Sequence, residues 1–217
     1  MKHFLIIDDN NEQSETVKSN IELELERLGE KDFAVLETFP FENPEDYFEF
    51  IDQKKVGVLI LDEKLNDQAD AHGNFAKYLG HDIVTMIRER YKDLPIYTIT
   101  NFANDEDVLN VFSEYDQVIS RKDFYGAPEK FVPVMLRAAS KFVDRNSSML
   151  SELTLLSQEI ASGNSTEEKV ERIKALQAAV ELPLVGFADR QSWLDEYSKQ
   201  LEDLKEIHLE LKKKLNK

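Results

Sequence analysis

Two short stretches of this chain are apolar at nearly every position, and each runs directly into aspartate: FLII at 4–7 precedes Asp8 and Asp9, and VGVLIL at 56–61 precedes Asp62. Neither stretch alternates polar with apolar residues, and both are too short for a helix, so both read as strands covered on two faces. Between them, Asn10 to Gly29 carries Val17, Ile21, Leu25 and Leu28 at helical spacing and stops at a glycine. The pattern then repeats. Strands are predicted at 33–38, 95–100 and 117–120, and helices at 45–53, about 81–91, about 104–114 and from Pro128 onward. Strands alternating with helices in this way predict an α/β fold, a doubly wound five-stranded parallel sheet, with an α-helical extension after it.

In such a sheet ligands sit at the carboxyl ends of the strands, near the point where strand order reverses. The residues expected there are Asp8 and Asp9 after the first strand, Asp62 after the third, Thr100 closing the fourth and Lys122 after the fifth. Taken singly, each has an ordinary explanation: a helix N-cap for either early aspartate, a strand residue for Thr100, a surface lysine for Lys122. Taken together, three carboxylates at one point repel each other unless a cation joins them. The set suits a hard divalent ion such as Mg²⁺ with a lysine nearby.

These segments resemble the receiver domain of two-component response regulators. FLIIDDN is similar to the first strand of that family with its acidic pair, VGVLILD to the third strand with its acceptor aspartate, PIYTIT to the fourth with its hydroxyl residue, and DQVISRKDF to the fifth ending on lysine. The resemblance covers roughly residues 1–142. It implies that Asp62 accepts a phosphoryl group from a histidine kinase or phosphotransfer protein. It further implies that Asp8, Asp9, Asp62 and the backbone carbonyl of Lys64 hold Mg²⁺, that Thr100 binds a phosphoryl oxygen, and that Lys122 pairs with it. Such a protein is a phospho-acceptor in signalling rather than an enzyme. Phosphorylation there biases a two-state arrangement of the last strands and helices.

The sequence also departs from that family. GHDIVTMIR fits the start of the third helix, but Gly80 comes later than usual after Asp62, leaving a long loop at 63–80 beside the expected site. Asn101 replaces the usual small residue after Thr100, Val118 and Ile119 stand where an aromatic switch residue is usual, and Arg121 competes with Lys122 for the basic position. The alternative reading is therefore a receiver-like adaptor that is not phosphorylated and acts through protein contacts. An aspartate-nucleophile phosphohydrolase lacks its second acid, because Asn10 and Asn11 stand two residues after Asp8 and Asp9.

The receiver-like domain is expected at 1–145 and a helical extension at 146–217. Met149, Leu153, Leu156 and Ile160 continue one helix, SGNS at 162–165 breaks it, and Ser165 with Glu168 resembles a capping box for a helix carrying Val170, Ile173, Leu176 and Val180. A last helix, opened by Trp193 as a packing anchor, carries Leu194, Tyr197, Leu201, Leu204, His208, Leu211 and Leu215 as a heptad seam, read as an intramolecular bundle or as a coiled-coil dimer or partner surface. His72 and His81 are expected in surface or loop-packing roles.

A net charge of -16 disfavours nucleic acid as a partner, and the Lys212–Lys214 cluster reads as a favourable helix terminus. The expected output is thus a downstream protein or a second copy of the chain. No apolar run is long enough to insert in a membrane. With no cysteine and no basic-then-apolar leader, the cytoplasm is the expected compartment.

Overall fold

The computed structural model describes residues 1–70 and 72–180. Five parallel strands form one sheet: β1 (Lys2–Ile7), β2 (Phe33–Thr38), β3 (Val56–Leu61), β4 (Ile96–Thr100) and β5 (Gln117–Ser120), in the order β2-β1-β3-β4-β5. The order reverses between β1 and β3, so the crevice at their carboxyl ends is the switch point. Helices α1 (Asn11–Arg27), α2 (Asp46–Lys54), α3 (Gly80–Arg90) and α4 (Glu106–Asn110) connect the strands. They are followed by α5 (Arg121–Gly126), α6 (Pro128–Ala161) and α7 (Glu167–Ala179).

The apolar runs behave as their composition requires. Every residue of β3 is buried, as are Phe4 to Ile7 of β1, because helices cover both faces. From α1 come Val17, Ile21 and Leu25, from α3 Ile83, Val84 and Ile87, and from α6 Val132, Met135 and Ala139, all buried. Asn10 starts α1 by accepting the Gln13 N–H on its side-chain oxygen, and Gly29, with φ of 71°, follows its end in the left-handed region that glycine adopts freely.

Two connections differ from the sequence expectation. The helix expected at about 104–114 is only α4 plus a single 3₁₀ turn at Phe112–Glu114. The carbonyl of Glu114 is taken instead by the Arg88 guanidinium at 2.8 Å, and the same side chain pairs with Asp116 at 3.0 Å. The second difference is α5, a short helix immediately after β5. Ser120 caps it by accepting the Asp123 N–H and donating its hydroxyl to the Asp123 carboxylate.

The described residues divide into two units, Met1–Val143 and a second that begins at Asp144. In the second, Leu153 and Ile160 from α6 pack with Val170, Ile173 and Leu176 from α7, with Met149 and Leu156 against them, as the spacing predicted. Gly163, with φ of 88°, lies in the break between the two helices. Thr166, not Ser165, is the N-cap of α7, its hydroxyl accepting the Lys169 N–H; the helix starts one residue later than the capping-box reading placed it. The expected last helix, with its heptad seam, Trp193, His208 and Lys212–Lys214, lies outside the described residues.

Candidate functional site

Strand register brings the acidic residues together. Ile7 of β1 lies opposite Leu61 of β3, and the Asp62 N–H donates to the Ile7 carbonyl at 3.0 Å, so Asp8 and Asp62 emerge side by side at the switch point. On the next two strands Thr100 lies opposite Ser120, which brings the start of α5 to the same edge. Asp8, Asp9 and Asp62 are all buried, and Thr100 is fully so, its hydroxyl oxygen accepting the Phe102 N–H at 3.1 Å.

The cation among them is Arg121. Its Nη2 lies 3.0 Å from Asp8 Oδ2 and 3.0 Å from Asp62 Oδ2 and also donates to the Ile99 carbonyl, while Nη1 donates to the Gln13 side chain. Arg121 is only 3% exposed. Lys122, the residue expected in this role, is exposed. The reason is helical: once Ser120 caps α5, Arg121 and Phe124 fall three residues apart on the buried face, and Lys122 and Asp123 turn to solvent. A reading of 117–120 as a strand followed by loop misses this turn.

The electrostatics follow from the geometry. Burial pushes the Asp8 carboxyl up to about 6; Arg121 opposes that rise and the neighbouring Asp62 adds to it. Asp9 is likewise raised by burial, against hydrogen bonds from the loop backbone. For Arg121 burial acts to lower the pKa, but Asp62 and Asp8 outweigh it and the guanidinium is held more firmly charged than usual.

Asp9 is engaged by the loop. Its Oδ2 accepts the backbone N–H groups of Asp67 and Gln68, each at 2.6 Å, and so fixes the long loop between β3 and α3. The loop is well anchored. Leu65, Ala76 and Tyr78 are buried, the Tyr78 hydroxyl meets that of Tyr47 at 3.1 Å and donates to the Phe41 carbonyl, and Asp70 accepts the N–H groups of His72 and Asn74 across a turn at Gly73. Lys64 is half-buried with its ammonium 5.2 Å from the centre of the Phe102 ring, which links this loop to the one after β4. Asn101 is exposed, Ile119 buried and Val118 half-buried.

Both ends of the loop meet at Gly80. Its N–H donates to the Glu63 carbonyl at 2.8 Å, and a Cβ there would lie 2.4 Å from the Asp62 carbonyl oxygen. Gly80→Ala is therefore expected to lower the unfolding free energy by about 1–3 kcal/mol through overpacking, measured by urea denaturation; parent-like stability would mean that the backbone there yields. Beside this neck Glu63 is buried and bonded to His81 Nδ1 at 2.5 Å. Burial raises the Glu63 pKa and His81 opposes the rise. No sequence pattern marks that pair, because the long loop separates its members.

The ion implied by the family resemblance does not fit the carboxylates as they stand. Asp9 is turned to the loop, and Arg121 lies between Asp8 and Asp62. Among the described residues, no three or more carboxylate or imidazole residues are placed to hold one ion. The expected set of Asp8, Asp9, Asp62 and the Lys64 carbonyl is thus not assembled in this arrangement.

No family model matches the chain, and no curated protein matches it. The structural neighbours are receiver domains of response regulators. They include the receiver domain of NtrX from Brucella abortus, with TM-score 0.46 and 16% identity over 63% of this chain and 98% of that one. Another is response regulator protein TrrA from Thermotoga maritima in complex with Mg²⁺-BeF, with TM-score 0.39 and 21% identity over 62% of this chain and 99% of that one. A third is a CheY-like response regulator receiver domain protein from Methanospirillum hungatei, with TM-score 0.42 and 14% identity over 63% and 98%. At these scores and identities the neighbours decide nothing about chemistry, which rests on the side chains. No helix among the described residues is long and apolar enough to cross a membrane.

Proposed function

We propose that the 1–143 unit is a receiver-type switch of a two-component phosphorelay, in which Asp62 accepts a phosphoryl group from a histidine kinase or phosphotransfer protein. The observation that carries this is the pairing of Asp62 at the end of β3 with a buried guanidinium at 3.0 Å, at the switch point of the sheet. In the transfer an Asp62 carboxylate oxygen forms a bond to phosphorus as the phosphorus–nitrogen bond of the donor phosphohistidine breaks. The electron pair leaves on the imidazole nitrogen. Charge is then spread over the three equatorial phosphoryl oxygens, and a fixed cation beside the acceptor stabilises it. Arg121 is that cation, and the Thr100 hydroxyl is the available donor on the neighbouring strand.

In this role the protein is a phospho-acceptor and not a turnover enzyme. The acidic surface and the packed helices α6 and α7 favour a protein partner over DNA as the output. A second reading, a receiver-fold adaptor that works without phosphate, is favoured by the loop held over Asp9. Incubation with acetyl phosphate followed by peptide mass mapping separates the two. The expected result is a gain of one phosphoryl group on Asp62 that is absent from Asp62→Asn; a folded protein with no gain leaves the adaptor reading.

A further inference from the structure

We propose that Arg121 is the built-in counter-cation of the acidic site and that the intact protein takes no divalent cation there. A magnesium ion bridging Asp8 and Asp62 needs their oxygens at about 2.0–2.1 Å in near-octahedral geometry. The space between those oxygens holds Arg121 Nη2, at 3.0 Å from each. Two cations competing for that gap repel each other, and the guanidinium has the advantage of being tethered. Contacts to the Ile99 carbonyl and to Gln13 fix it in place.

The second oxygens of Asp8 and Asp62 are engaged by the chain itself. Asp8 Oδ1 accepts the Asn10 N–H at 2.9 Å and Asp62 Oδ1 accepts the Glu63 N–H at 2.7 Å. Asp9, which would have to supply a third ligand, spends one oxygen on two loop N–H groups instead. The planar fork of arginine matters here, because it spans Asp8, Asp62 and Gln13 at once, as a lysine ammonium on a single nitrogen does not.

This inference concerns ion binding and stands apart from whether Asp62 is phosphorylated; its test contains no phosphodonor. The intact chain is titrated with Mn²⁺ by electron paramagnetic resonance and with Mg²⁺ by calorimetry, alongside Asp62→Asn to subtract weak binding by the acidic surface. The expected result is no difference between the two proteins up to about 10 mM, beyond the range of weak carboxylate sites. A saturable site in the parent that Asp62→Asn removes overturns the proposal, and that comparison needs no change at Arg121. Arg121→Gln, which removes the charge, is expected to gain one saturable Mn²⁺ site and a Tm that rises with added Mg²⁺. A folded Arg121→Gln protein that still binds nothing overturns the assignment of Arg121 as the excluding group.

Discussion

Arg121→Ala is expected to lower the unfolding free energy by about 3–5 kcal/mol near neutral pH, because it leaves two buried carboxylates beside each other with no cation. Asp8 and Asp62 are each within 3.0 Å of the same guanidinium nitrogen and are 3% and 8% exposed, so water does little to screen them. Lys122→Ala is the control. That side chain is exposed, and its loss is expected to change stability by no more than about 0.5 kcal/mol. Urea denaturation of both variants distinguishes the two basic residues directly; equal effects would place the charge of the site elsewhere. A double-mutant cycle with Asp62→Asn then isolates the pairwise term, since the single arginine variant also carries the cost of the stranded aspartates.

The second large effect is on pH. The Asp8 carboxyl, ordinarily near 3.8, is raised by burial to about 6 in the folded protein. A raised value means that the folded state binds the proton more tightly than the unfolded one. The corresponding stability is complete below about pH 4 and is lost as pH rises through about 6. A shift of that size is worth about 3 kcal/mol across the window. Asp8→Asn, which cannot ionise, is therefore expected to flatten the fall between pH 4 and 6 and to be more stable than the parent at pH 7.5. Arg121 keeps Asp62 as a partner in that variant, so no cation is stranded. Denaturation midpoints at four or five pH values test this, and a parent whose stability climbs through the window contradicts it.

Most of the sheet was legible because its signals are local. The runs FLII and VGVLIL, bounded by helical spacings, need no knowledge of the rest of the chain to be read as buried strands, and β2, β3 and β5 fall at the residues expected. The positions of Asp8, Asp62 and Thr100 at strand ends follow from that reading. What failed was the choice between Arg121 and Lys122. It turned on whether the backbone after Ser120 continues as loop or winds into α5, and the decisive signal, the reciprocal Ser120–Asp123 cap, was present in the sequence. The turning of Asp9 toward Asp67 and Gln68, and the Glu63–His81 pair, were not legible. Each depends on how a long loop folds back, which no periodicity encodes.

The neck at Glu63 and Gly80 has a consequence for how this domain can change. A segment whose two ends are already hydrogen-bonded to each other adds little to the cost of folding the rest: doubling such a loop costs only about 0.6 kcal/mol in closure entropy. The segment is held by buried Leu65, Ala76 and Tyr78 and by the glycine that passes over the Asp62 carbonyl, whereas the stretch 72–75 between those anchors is exposed. The stretch 72–75 is thus a cassette near Asp62, a place where a foreign sequence can be exchanged or grafted while the buried residues on either side hold it in position.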